Sequence, residues 1–104
     1  MHRSTRRLHE LPIPAAAIED GRSREMIRAW IANKGLHVTI NLGTWREDEA
    51  IAWGILLSDV ARHVSDALEK QEGTPAAVTL SAIRKSFNYE VDRPTSETQG
   101  GFVE

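Results

Sequence analysis

The sequence of 104 residues is 40% hydrophobic and 27% charged, with a formal net charge of −2. This composition is typical of one small folded domain, and it excludes a disordered chain and disfavours a dedicated nucleic-acid module, which would be strongly basic. Cysteine is absent, which excludes disulfides, thiol nucleophiles and thiolate metal sites. No apolar run approaches the roughly 20 residues needed to cross a bilayer, and no secretory signal pattern begins the chain, so we expect a cytoplasmic protein.

The charge is unevenly distributed along the chain. Residues 1–46 carry eight Lys/Arg and four Asp/Glu, a net +4, whereas residues 47–104 carry five and eleven, a net −6. Complementary halves could assist self-association, although a solvated surface explains them equally well.

The N-terminal part has little secondary-structure pattern. Residues 1–10 are polar and basic, and we predict a disordered tail there. Residues 11–14 (LPIP) favour extended geometry, either along a sheet edge or across an apolar surface. Residues 15–18 are compatible with one helical turn.

Two short strands joined by a tight turn are predicted next. Residues 25–32 form the first strand, and residues 36–42 alternate apolar and polar side chains most clearly in the second. Between them, Asn33 and Lys34 fit a type I turn with Gly35 in the left-handed position. Two registers differing by one residue remain possible.

A long helix follows the hairpin. Thr44 and Glu47 fit a capping box at its start, while Lys70 and Gly73 mark its end. At about 100° per residue one apolar stripe is predicted to face the hairpin. Its members are Ala50, Trp53, Leu57, Val60, Ala61, Val64 and Leu68. Ile51 and Ile55 fall on the opposite side, where something other than the hairpin should cover them.

A second, shorter helix begins near Pro75, because apolar residues recur at helical spacing as far as Phe87. From residue 92 the chain is polar, and we predict a disordered tail over residues 92–104. The sequence therefore predicts a single α+β domain over residues 11–91, a β-hairpin packed on a long helix followed by a shorter helix (ββαα).

The compact polar cluster of Asp59, Arg62 and His63 on the long helix is the candidate ligand site. Asp59 and His63 are four residues apart, so the carboxylate can pair with the imidazole while Arg62 binds an anion. A solvated helix face with ion pairs explains the same pattern and is favoured, because such pairs are common on helices. The four histidines lack ligand spacing, so we expect no metal, and no cofactor motif is present.

Apolar surface that the monomer pattern leaves uncovered predicts an interface. Trp30, Ile51 and Ile55 are the candidate interface residues, and a homodimer could join two hairpins into one four-stranded sheet. Nucleic-acid binding through the basic N-terminal third is the less favoured alternative.

Several segments together resemble a known family. They are residues 28–31 (RAWI), 35–36 (GL), 52–54 (AWG), 57–64 (LSDVARHV), 82–87 (AIRKSF) and 94–95 (PT). Over roughly residues 10–95 the chain resembles the small bacterial domain-of-unknown-function family 5076. The resemblance implies small cytoplasmic proteins with no activity or cofactor to transfer, and its pattern includes Asp59, Arg62 and His63.

Two classes of function follow from these observations. The first is a non-enzymatic interaction or regulatory module that acts through a dimer surface. The second is a small-molecule or anion-binding protein built around the Asp59 cluster, with nucleic-acid binding as a third and weaker hypothesis.

Overall fold

The computed structural model describes residues 8–95 and 98–103 and contains three helices and three strands within them. In chain order they are α1 (Ala15–Glu19), β1 (Ile27–Ala32), β2 (Gly35–Asn41), α2 (Glu49–Glu72), α3 (Ala76–Asp92) and β3 (Thr98–Val103). A short 3₁₀ turn, Arg46–Asp48, leads into α2. The predicted α+β class and the ββαα order are confirmed. Most of the predicted basic tail, residues 1–7, lies outside the described residues.

The hairpin turn differs from the predicted type. Ala32 pairs with Gly35, so only Asn33 and Lys34 lie between the strands, and these two residues have φ angles of 50° and 63°. Two consecutive left-handed residues define a type I′ turn, whose twist matches that of the flanking strands. The prediction of a type I turn with a left-handed Gly35 was therefore wrong, and the register is the one that places Ile27 opposite Ile40.

A third strand lies where the sequence predicted only a disordered tail from residue 92. α3 continues to Asp92, and residues 98–103 form β3, which pairs in parallel with β2. Backbone pairing requires no apolar pattern, which is why the polar composition of this segment gave no strand signal. Gly100 lies opposite Val38, and a Cβ at Gly100 would be 1.8 Å from the Val38 carbonyl oxygen.

The start of α2 is not the predicted capping box. The helix begins at Glu49, and neither the 3₁₀ turn nor α2 has a side-chain cap from its N-cap residue. Instead, Glu49 Oε1 accepts a hydrogen bond of 3.0 Å from the Trp45 backbone N–H. The helix ends as predicted at Gly73, whose φ of 81° is a left-handed conformation that glycine adopts without steric cost.

α2 and α3 form one layer and the sheet another, but the two layers do not close on each other. α2 packs against α3, whereas over the described residues no Cα atom of the sheet lies within 8 Å of a Cα atom of either helix. Among the side chains described, none that is apolar is buried, and Ser65 of α2 at 1% exposure is the buried residue. The predicted packing of the hairpin on the long helix is therefore not made within one chain.

In the described part of the chain, no helix is both long and apolar enough to span a membrane.

Candidate functional site

The predicted cluster on α2 is only partly assembled. Arg62 forms an ion pair with Asp59, one turn away on the same helix, and both side chains are more than half exposed. His63 shares neither a hydrogen bond nor an ion pair with Asp59 among the described residues. Because exposed ion pairs contribute little to stability, this pair fits a solvated helix face. The pairing of Asp59 with His63 that their spacing allows is thus not formed here, and a ligand-binding role for the three residues stays a prediction.

Asp59 and His63 do share the wall of an open groove. The groove has a volume of about 580 Å³. Its lining residues are Trp45, Ala52, Ile55, Leu56, Asp59, Val60 and His63. Apart from Asp59 and His63, these side chains are apolar or aromatic, so the groove offers apolar contact with one carboxylate and one imidazole at its rim.

Trp45, which lines the groove, packs against Trp53, a contact that the sequence did not predict. The ring centroids of Trp45 and Trp53 lie 6.0 Å apart, with an interplanar angle of 88°, which is the edge-to-face geometry that aromatic rings prefer. Glu49 joins them, because its Oε2 accepts a bond of 2.9 Å from the Trp53 indole N–H while its Oε1 accepts the Trp45 backbone N–H. The sequence did contain a sign of this contact. Trp45, Glu49 and Trp53 are spaced four residues apart, and side chains at that spacing on a helix are neighbours.

These contacts shift the pKa of the Glu49 carboxyl group. Partial burial opposes its ionisation, but the N–H donors of Trp45, Trp53, Gly43 and Arg46 together outweigh that effect and lower the pKa of Glu49 below its ordinary value. The carboxylate is therefore a structural acceptor that fixes the passage from the sheet to α2.

The predicted interface residues lie on different surfaces. Ile51 and Ile55 are exposed on α2, and Ile55 also lines the groove. Trp30 is half-buried on β1, beside a second groove of about 670 Å³ between β1 and the N-terminal segment that contains Leu11 and Ile13. The structure therefore does not bring Trp30 together with the two isoleucines.

Two arginines of the basic N-terminal third, Arg28 and Arg24, have side-chain partners within the chain. Arg28 forms ion pairs with Glu25 and Glu10, and hydrogen bonds first to Glu25 and then to Glu10 raise the pKa of its guanidinium. Arg24 donates to the Thr44 hydroxyl at 3.2 Å. An arginine held by two carboxylates is less available to phosphate, so Arg28 does not favour binding of nucleic acid.

Within residues 8–95 and 98–103, no three His, Asp or Glu side chains converge closely enough to hold a metal ion.

Comparison with known proteins identifies the family. The profile of the family described as "Domain of unknown function (DUF5076)" matches residues 10–95. The chain belongs to this family. Comparison with curated proteins gave no match.

A solved structure shares the fold of this DUF5076 member. It is described as the structure of a "putative pyruvate dehydrogenase" from the photosynthetic bacterium Rhodopseudomonas palustrus CGA009. The two chains are 24% identical and superpose with a TM-score of 0.66, over 86% of this chain and 90% of the other. At that identity the similarity establishes a common fold and transfers no activity.

Proposed function

We propose that this DUF5076 protein is a non-enzymatic interaction module that acts as a homodimer. The observation that supports this proposal is the lack of any buried apolar side chain among those described, in a chain whose secondary structure is regular and amphipathic. Hydrophobic burial is the dominant favourable term in folding. A chain that buries so little apolar surface as a monomer gains hydrophobic stabilisation by associating.

The dimensions of the chain support the same proposal. Its accessible surface is 9283 Å², whereas a compact protein of this mass exposes roughly 5,800 Å². Its Cα radius of gyration is 16.2 Å, compared with about 13 Å for a compact domain of this length. This extra surface is available for burial when chains associate.

Light scattering coupled to size-exclusion chromatography tests the proposal. At micromolar concentration we expect a mass of twice the 11.6 kDa chain. A single species with the mass of one chain, folded by circular dichroism, would contradict the dimer.

The groove beside α2 supports a second candidate, the binding of a small apolar or anionic molecule near Asp59 and His63. Its supporting observation is that both side chains lie at the rim of the same groove as Trp45. Titration with inorganic phosphate or indole, followed by amide chemical shifts, tests it. Shifts that centre on residues 45–63 and are lost in His63→Ala support it, whereas their absence at millimolar ligand removes it.

A further inference from the structure

We propose that the two copies exchange layers, so that the sheet of each chain packs against α2 of the other. The proposal rests on the proposed homodimer and specifies which surfaces form its core. The two surfaces are a sheet face, defined by Ile27, Ile31, Leu36, Ile40 and Phe102, and a helix stripe, defined by Leu57, Val60 and Val64.

The sheet face is an apolar surface that its own chain covers only in part, since Leu36 and Ile40 are half-buried and Ile27 borders the groove beside Leu11 and Ile13. The register places Ile27 opposite Ile40 and Ile31 opposite Leu36, so these side chains project from the same side of the sheet. β3 extends the face, because Phe102 lies beside Ile40. Ile31 is 79% exposed and Phe102 is 62% exposed. An apolar sheet face normally packs on another layer.

The helix stripe is the matching surface. Leu57, Val60 and Val64 follow one another at helical spacing and are between 40% and 48% exposed. α3 packs on α2, and the buried Ser65 lies on the side adjoining the stripe. The stripe therefore lies next to the contact between the helices and remains partly open.

The junction between the layers explains why a chain does not close on itself. Gly43 and Arg46 both have positive φ angles, 94° and 53°, which direct the chain out of β2. The Glu49 carboxylate then binds the Trp45 backbone and the Trp53 indole, which fixes the first turns of α2. Bringing the helix stripe onto the sheet of the same chain would require this junction to rearrange.

Charge supports a second copy as the partner. Residues 8–46, which include β1 and β2, carry five Lys/Arg and four Asp/Glu, a net +1, and Arg3, Arg6 and Arg7 bring the N-terminal half to +4. Residues 47–104, which include α2 and α3, carry a net −6. When layers are exchanged, the basic half of each chain meets the acidic half of the other, and the contact occurs twice. Electrostatic complementarity of this kind favours the correct partner and orientation.

Exchange also limits the assembly to two chains. Each copy supplies one sheet face and one helix stripe, and a two-fold axis uses both of them. No complementary pair of these surfaces is then left open for a third chain.

Disulfide trapping tests the exchange directly, because the native chain has no cysteine. In the double variant Ile31→Cys/Leu57→Cys, the two positions of one chain have Cα atoms more than 8 Å apart, beyond the roughly 7 Å limit for a disulfide. Oxidation should therefore yield a covalent dimer on a non-reducing gel, which disappears with reductant. A second pair, Ile27→Cys/Val64→Cys, tests the same contact where the first variant fails to fold.

The matched control is Thr39→Cys/Leu57→Cys, since Thr39 is exposed on the opposite face of β2. The control and the single variants should give little covalent dimer. Two results would contradict the exchange of layers but not the homodimer. In both, light scattering shows a dimer, but either neither sheet-to-helix pair forms a disulfide or the control forms one equally well. Efficient trapping by Leu57→Cys alone would assign the contact to helix against helix, and a folded monomer would remove the homodimer itself.

Discussion

At the scale of single residues, the turn between β1 and β2 contains a backbone conformation that lowers the stability of the protein. Asn33 and Lys34 both adopt the left-handed conformation, which asparagine tolerates more readily than lysine. Turns of type I′ prefer Asn-Gly for this reason. The sequence contained the asparagine of this motif but displaced its glycine by one position, which led to the wrong turn type.

We expect Lys34→Gly to stabilise the protein by about 1 kcal/mol, since the left-handed conformation costs an L-residue about 1–2 kcal/mol and part of that gain is offset by the entropy of glycine. Chemical denaturation measures the change. Lys34→Ala, which keeps the Cβ, is the matched control and should show no comparable gain. Equal stability of all three proteins would argue against the left-handed turn.

A second consequence at this scale is a dependence on pH through Glu49. Because its pKa is lower in the folded protein, its contribution to stability is complete above the ordinary value of about 4.3 and is lost as the pH falls through the lower folded pKa. We expect acid titration to change the tryptophan fluorescence in this window, since the Trp53 indole donates to the carboxylate.

Glu49→Gln should remove this acid-sensitive step and lower the Tm at neutral pH. Glu47→Gln is the control, because Glu47 accepts neither of the two bonds described for Glu49. An acid transition that is identical in the native protein and Glu49→Gln would show that the carboxylate does not control the junction.

At the scale of elements, the parallel pairing of β3 depends on one glycine. A side chain at Gly100 would overlap the backbone of Val38, whereas a Cβ at the neighbouring Gly101 would meet no heavy atom of the described residues within 4 Å. The φ of 134° at Gly100 adds a conformation that other residues rarely adopt. The strand therefore uses Gly100 for the close approach of two backbones.

We expect Gly100→Ala to displace β3 and to accelerate amide exchange in β2 and β3, with the substitution Gly101→Ala having a much smaller effect. Hydrogen exchange followed by NMR or mass spectrometry measures it. Similar exchange rates in the two variants would mean that β3 does not pair with β2 in this register.

The third strand also changes the predicted joined sheet. β3 occupies the second edge of β2, so that β1 and β3 are the two edge strands of the sheet. A sheet joined across a dimer would therefore run through β1 or β3 and contain six strands instead of four. Joining of the sheets stays a prediction, and it is compatible with exchange of the layers because the edge and the face of a sheet are different surfaces.

At the scale of the whole molecule, folding and association are expected to be one process. A chain with no fully buried apolar side chain among its described residues gains most of its hydrophobic stabilisation when the dimer forms. Its Tm should therefore rise with protein concentration, as for any obligate dimer.

Val60→Asp tests this coupling, because it places a charge on the helix stripe. Losing the burial of one valine costs about 1.5–3 kcal/mol, so we expect dimer affinity to fall by a factor of about 10 or more. Val78→Asp, at an exposed position on α3, is the matched control and should leave the affinity nearly unchanged. Analytical ultracentrifugation measures both, and equal affinities would exclude the stripe from the interface.

The sequence alone determined the order and type of the main elements, because alternation in residues 36–42 and helical spacing from Trp53 to Leu68 arise from local geometry. It also located the polar residues of the candidate site, Asp59, Arg62 and His63. Only the structure showed that Arg62 forms an ion pair with Asp59, that Glu49 binds the backbone at the start of α2, and that β3 pairs with β2. The tertiary structure also showed that the sheet does not pack on α2 of the same chain. Periodicity could not show this, because it indicates which face of an element is apolar but not which chain covers that face.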